Sequence, residues 1–542
     1  MRDSSNGHDR RRGFDALIVG AGFSGLYQLI ALRDRLGLSA RILEAGRDVG
    51  GTWYWNRYPG ARCDSESHSY CYTFCEELLR DWEWSERYPA HPEIRRYLGH
   101  VADRFELRRD IAFNSRVVAA DYDEAANVWR LTTEAGDRFE ATYLITAVGC
   151  LSAANVPDIP GLATFSGRWL HTGQWPHEGV DFADQRVGLI GTGSTGIQAT
   201  PVIAETARHL TVFQRTANYS VPARNAPLTR DFLTYVKENY AEIRRVMRAT
   251  PNGHAFAIED RSAFDVSAAE RQAIYEAAWE TGGLQFRASF HDLLIDKAAN
   301  DTAADFIRNK IRQIVKDRAT AEKLADIDHP YAAKRPPIDS NYFETFNRDN
   351  VSLVDVRATP IEAITPAGIR TRDGEYPLDI IVFATGFDAM TGPLVRMNIR
   401  GRAGLPLAEA WRAGPRNYLG LQVSGFPNLF TVTGPGSPSV LCNMPVAIEQ
   451  HVDWITDCIA HMRAHGLERI EALPEAMDRW VEAVNAAANA TLLPQAHHSW
   501  YLGANVPGKP RVFMPYAGGM AHYRKICEDA ARKNYEGFRL SS

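Results

Sequence analysis

Two glycine-rich turns, each set between an apolar run and a helical pattern, constrain this chain of 542 residues more than any other feature. Asp15-Ala16-Leu17-Ile18-Val19 leads into Gly20-Ala21-Gly22-Phe23-Ser24-Gly25, and Leu26, Leu29 and Ile30 follow at helical spacing. Strand, turn and helix in that order form a dinucleotide-binding unit. Gly20 permits the tight turn, Gly22 lets a pyrophosphate approach the backbone, and Gly25 lets helix pack closely on strand. The pyrophosphate meets unpaired N–H groups and the positive end of the helix dipole. A second strand, Ala40-Arg41-Ile42-Leu43, ends at Glu44, whose carboxylate is placed to accept hydrogen bonds from a ribose diol.

The pattern recurs. Arg186-Val187-Gly188-Leu189-Ile190 precedes Gly191-Thr192-Gly193-Ser194-Thr195-Gly196, and the next strand is Leu210-Thr211-Val212-Phe213. Glu44 stands 19 residues after Gly25, and Arg215 stands 19 residues after Gly196. A glutamate repels a 2′-phosphate and an arginine pairs with it. The second unit therefore reads as an NADP site, with Ser194, Thr195 and Gln198 counted among its cofactor residues, and the first as an adenine-dinucleotide site without that phosphate. Each unit closes alike, at Tyr143–Gly149 and Ile380–Gly386, after hairpins turning at Glu134–Asp137 and Arg372–Glu375.

The predicted fold is α/β, with two Rossmann-like domains of the disulfide-reductase-like flavoprotein type. Residues 1–14 read as a flexible N-terminus, 15–150 and 388–542 as a discontinuous FAD domain, and 151–387 as the NADP domain. A helical subdomain is expected at about 228–325. After Gly386 the chain must return to the first unit, because Phe426–Phe430 and Gly434-Pro435-Gly436 read as strand and turn without a third fingerprint.

Composition narrows the partners. The formal charge of −5 is spread without a basic block, so a small molecule, rather than nucleic acid or a membrane surface, is the expected partner. Oligomeric state is left open. No apolar run has the length of a membrane span. Arg10-Arg11-Arg12 resembles an export signal only superficially, since cleavage after the following apolar run would remove the first strand of the nucleotide site. Seven cysteines without a C-x-x-C pair or metal-ligand spacing fit a reducing cytoplasm and exclude a disulfide reductase. No metal is expected. With both cofactors bound, hydride passes from NADPH to flavin, and oxygen is the acceptor left.

Phe165-Ser166-Gly167-Arg168-Trp169-Leu170-His171-Thr172-Gly173-Gln174-Trp175-Pro176 fills every fixed position of the F-x-G-x-x-x-H-x-x-x-W-P pattern of Baeyer–Villiger monooxygenases. Gly50-Gly51-Thr52-Trp53 through Tyr58-Pro59-Gly60 to Asp64 is a second match. The resemblance runs over nearly the whole chain and is closest to the single-chain, FAD-bound branch acting on aryl, cyclic and steroid ketones. It implies NADPH- and O2-dependent oxidation of a ketone to an ester or lactone through a flavin C4a-peroxide.

The resemblance also assigns roles. It implies that Arg335, in Lys334-Arg335-Pro336-Pro337, stabilises the peroxide and the oxyanion that follows, a task suited to a fixed guanidinium. Lys334 reaches the NADP 2′-phosphate. Read alone, that segment is a solvated basic loop. Asp64 pairs with Arg335 by analogy, although a turn residue fits equally. Trp53 is placed at the cofactor. Trp500 belongs to a loop folding over the nicotinamide nucleotide, with a core tryptophan as the plain alternative. Val440, Leu441 and Met444 line the ketone pocket or form a domain-return loop. Phe165, Gly167, His171, Trp175 and Pro176 are diagnostic and structural rather than chemical. His91 and Cys150 replace residues common in relatives at positions near the flavin. The rival readings are a flavin-containing monooxygenase acting on sulfur or nitrogen, and an NADPH-binding redox sensor.

Overall fold

The computed structural model describes residues 12–542. Strand β1 (Arg12–Val19) precedes helix α1 (Phe23–Ile30), and β2 (Ala40–Leu43) and β3 (Ile111–Ala112) follow. A meander of β4 (Val117–Asp123), β5 (Val128–Thr133) and β6 (Arg138–Thr146) then closes the unit. The expected flexible segment 1–14 is corrected at its end. Arg12, Gly13 and Phe14 extend β1 and pair with Phe139, Glu140 and Ala141, because the nine-residue β6 offers them partners. The rest of that segment, with Arg10 and Arg11, lies outside the described residues.

In this sheet β1 lies between β2 and β6, parallel to both, and is buried on both faces. Ala16 and Ile18 enter one core with Leu26 and Leu29 of α1, while Leu17 and Val19 enter another with Trp129 and Phe426. A near-continuous apolar run is what such a strand requires. The chain returns late to complete the sheet. Leu429–Thr431 pairs in parallel with Leu144–Thr146, while β5 occupies the first half of the same edge of β6. Trp129 is fully buried, and its indole N–H donates to the Pro427 carbonyl at 2.8 Å, tying the returning segment to the meander.

The second unit repeats the first. β7 (Arg168–His171), β8 (Arg186–Ile190) and β9 (His209–Gln214) join Val351–Asp355 and Ile380–Phe383 in a five-stranded parallel sheet. The duplication reaches individual hydrogen bonds. Gly20 N–H donates to Leu43 and Ala147 N–H to Val19; at the equivalent places Gly191 N–H donates to Phe213 and Ala384 N–H to Ile190.

The inserted helices are Arg230–Glu238, Tyr240–Ala249, Ala268–Thr281, Lys297–Ile314 and Arg318–Ala325. They do not share one core. Val236, Ile243 and Met247 pack with the first unit, whereas Tyr275, Phe286 and Phe306 pack with the second. The insertion therefore straddles both nucleotide units.

Candidate active site

Each glycine turn is sterically obligatory. A Cβ on Gly25 would fall 1.8 Å from the Gly20 carbonyl oxygen, and one on Gly196 would fall 2.1 Å from that of Gly191. The helices behind the turns, α1 and Ser194–Thr206, have no side-chain N-cap and no acidic residue in their first turns. Four inserted helices are capped by the side chains of Thr229, Ser267, Asp296 and Asp317. With neither a side-chain acceptor nor an acidic residue at their N-termini, the two turn-following helices are suited to an anionic ligand.

Both turns open into one connected cavity of about 1080 Å³, which Gly20, Gly22, Gly191, Gly193, Ser194 and Thr195 line. Gly25 and Gly196 lie behind it, where helix meets strand. Glu44 lines the cavity and accepts hydrogen bonds from the Ala21 N–H at 2.7 Å and the Gly46 N–H at 2.6 Å. Burial raises its pKa against the pull of those donors. Each oxygen keeps a lone pair, so the carboxylate can hold its loop and still accept from a diol.

Arg215 and Lys334 line the part of the cavity served by the second turn. Burial pushes the Lys334 ammonium down to about 8, and the positive field of Arg215 acts in the same direction. Two cations held together in this way favour an anion between them.

The junction of the two units is built around Arg335. Its Nε donates to Asp64 Oδ2 at 2.9 Å, and Nη1 donates to the Val440 carbonyl at 3.3 Å. The other carboxylate oxygen, Asp64 Oδ1, accepts from Gln198 Nε2 at 3.4 Å, and Gln198 Oε1 accepts from the Tyr58 hydroxyl at 2.8 Å. Burial opposes the charge on Arg335, yet the Asp64 carboxylate outweighs it and holds the guanidinium above its ordinary pKa. Trp53 lines the cavity nearby, its indole N–H on the Tyr70 hydroxyl at 3.2 Å.

A second, smaller cavity of about 110 Å³ also has Arg335 in its wall. Arg335, Val440 and Cys442 line both spaces; Leu441 faces the smaller and Met444 the larger. The inserted segment adds Pro251, His254 and Arg287 to its wall, and the C-terminal part of the chain adds Leu493, Tyr501 and Tyr516. Sequence reasoning missed the first three, since no motif surrounds them. The Gly282-Gly283 break before Arg287 was the one available signal.

Trp500 lines the large cavity from the turn Trp500–Leu502. The loop after it is fastened to the two crossovers between the units. Asn505 Nδ2 donates to the Phe387 carbonyl at 2.7 Å, Asn155 Nδ2 donates to the Asn505 carbonyl at 3.2 Å, and Lys509 Nζ lies 2.7 Å from Asp388 Oδ1.

The Phe165–Pro176 segment lines neither cavity, apart from Gly173 and Gln174. Phe165 packs on the second sheet's core, Gly167 precedes edge strand β7, and Pro176 opens a turn to Gly179. The His171 ring accepts from the Gly173 N–H at 3.0 Å and lies 3.1 Å from the Gly386 carbonyl, so Nε2 carries the proton. The Trp175 carbonyl accepts from Arg57 at 2.7 Å. Of the two replaced positions, Cys150 lines the large cavity and His91 does not. His91 is joined to that wall through its backbone N–H, which donates to the carbonyl of the cavity-lining Ala61 at 2.9 Å.

Residues 15–225 match the flavin-binding monooxygenase-like family. A Baeyer–Villiger monooxygenase of Pseudooceanicola batsensis is 45% identical over 96% of this chain and 95% of its own. The chain belongs to the Baeyer–Villiger monooxygenases. A solved structure titled oxidized steroid monooxygenase bound to NADP is 52% identical, with a TM-score of 0.93 over 98% of this chain and 99% of that one. A complex of OTEMO with FAD and NADP is 42% identical, with a TM-score of 0.94 over 98% and 100%. Baeyer–Villiger monooxygenases thus share the whole architecture of this chain, including the insertion and the returning strand.

Proposed function

We propose that the chain oxidises a ketone to an ester or lactone, consuming O2 and NADPH and releasing NADP+ and water. The observation that carries this reading is the Asp64–Arg335 pair, fixed where the dinucleotide cavity meets the smaller one. FAD, when bound, supplies the redox chemistry that moves electrons from NADPH to oxygen. The first turn and Glu44 would hold FAD; the second turn, Arg215 and Lys334 would hold NADP(H). The two uncapped helices and the paired cations fit both groups.

The protein's own contribution is positioning and electrostatics. Arg335 presents a planar, permanently charged fork to negative charge developing on the ketone oxygen. Asp64 keeps that fork aimed without leaving an uncompensated buried charge, and Gln198 keeps Asp64 in place. Val440, Leu441 and Met444 shape the space available to the ketone. The Trp500 loop, pinned to the crossovers, limits water access.

Incubation of the purified yellow protein with NADPH, O2 and a panel of phenylacetone, cycloalkanones and progesterone tests the reading. Chromatography should find ester or lactone matching the NADPH consumed. Sulfoxides or N-oxides formed in great preference from added sulfides or amines would favour the heteroatom oxygenase instead. NADPH consumption indifferent to every substrate would leave a redox sensor.

A further inference from the structure

The smaller cavity contains a cation with no counter-charge. Arg287 lies in the short helix Gly283–Ser289, which the chain starts by turning through Gly282 and Gly283 at φ 71° and 76°. Its side chain lines the cavity together with Arg335. The groups whose fields reach it are Tyr331, Tyr501 and Arg335. Among the described residues, no carboxylate lies within ion-pair distance of Arg287, and no hydrogen bond engages its guanidinium.

Neighbouring charges do not remedy this. Asp64, the carboxylate nearest to hand, is committed to Arg335. His254, on the same wall, is pushed down to about 3 by burial and by the fields of Arg335 and Arg287, so it is neutral at physiological pH. With the Arg335–Asp64 pair cancelling, the cavity keeps one net positive charge. Its other surfaces include Phe256, Ile258, Leu284 and Leu493. A charged group half withdrawn from water among such residues is costly until an anion joins it. Guanidinium is the side chain best shaped to take a carboxylate through two parallel hydrogen bonds.

We infer that the smaller cavity takes a ketone bearing a carboxylate, with the carboxylate on Arg287 and the carbonyl toward Arg335. This rests on the ketone-oxidising reading above and names its substrate class. A neutral ketone of the same shape leaves Arg287 unpaired and loses the charge-assisted contact. That contact corresponds to roughly a tenfold to hundredfold preference for the acid.

The test uses the FAD-loaded protein and three matched ketones: 5-oxohexanoate, its methyl ester and 2-heptanone. In the parent protein, kcat/KM from ester product should favour the keto acid over its methyl ester by roughly tenfold or more. Arg287→Leu should remove that preference, and Arg287→Lys should retain most of it. Separately, calorimetry with hexanoate, which has no ketone to oxidise, should show binding that weakens at least tenfold in Arg287→Leu. Flavin content and thermal midpoint establish that each variant is folded. Equal kcat/KM for acid and ester, or hexanoate binding that is absent or indifferent to Arg287, overturns the inference while conversion of neutral ketones keeps the broader reading intact. Arg287-dependent hexanoate binding in a protein that oxidises no ketone would do the reverse, retaining the anion site and discarding the reaction.

Discussion

In the proposed function Arg335 acts on charge that develops during oxygen transfer, and hydride transfer from NADPH would not depend on it to the same extent. Arg335→Ala should therefore keep the protein yellow and reducible by NADPH, but lower ketone conversion by about 10²–10³. Stopped-flow absorbance would follow the flavin and chromatography the ester; undiminished ester yield removes Arg335 from the proposal. Arg335→Lys should be nearly as poor, since a point charge cannot hold Asp64 and face the ketone with one planar fork. At the other cation pair, Arg215→Ala should weaken NADPH roughly ten- to a hundredfold and leave NADH little changed. Lys334 adds a pH dependence. Its ammonium is protonated in the free site below about 8, and a bound 2′-phosphate holds the proton more tightly. NADPH affinity should thus be full below that pH and fall by up to about tenfold per unit as pH rises above it. Titration of Lys334→Met, which should lose the dependence, checks the assignment. Glu44 and Arg215 were legible because each lies a fixed interval beyond its glycine turn. Asp64 and Arg335 converge from distant parts of the chain, so only family resemblance could join them in advance, and Gln198, expected as a cofactor residue, was not tied to them until the structure showed its hydrogen bond to Asp64. Arg287 has no motif around it and became visible only when the cavity and its charge balance were in view.

Elements carry a different kind of legibility. The strand–turn–helix units follow from local spacing, and the structure repeats them down to matching hydrogen bonds. The start of β1 at Arg12 was missed because it depends on the length of β6, more than a hundred residues away. The straddling insertion was also hidden: its periodicity reveals helices but not which core each helix faces. The glycine geometry gives a prediction at this scale. Gly25→Ala and Gly196→Ala each force a methyl group against a carbonyl oxygen, so the turn must open. The first should be purified largely colourless, and the second should keep its flavin while losing NADPH binding; absorbance and calorimetry separate the two outcomes. The Trp500 loop supplies another. Asn505→Ala removes the hydrogen bond to Phe387, worth about 0.5–1.5 kcal/mol, so NADP+ should dissociate roughly two- to tenfold faster. Unchanged release kinetics would mean that the loop does not retain the nucleotide.

At the scale of the molecule, the edge of β6 is shared between a local partner and a late one. Its first half receives β5 at once, but its second half faces nothing until Leu429–Thr431 has been made. At ~5–20 residues per second the interval during synthesis is on the order of tens of seconds. Over that time the nascent first sheet presents a bare edge, the kind of surface on which chains pair wrongly. The second sheet has no such debt, since all five of its strands lie between Arg168 and Phe383. The order of maturation on the ribosome is therefore inverted relative to the order of the genetic message: the later nucleotide unit is finished first. Chaperone demand should peak before residue 429 leaves the exit tunnel, and a chain stopped just short of it should remain protease-sensitive in its first unit.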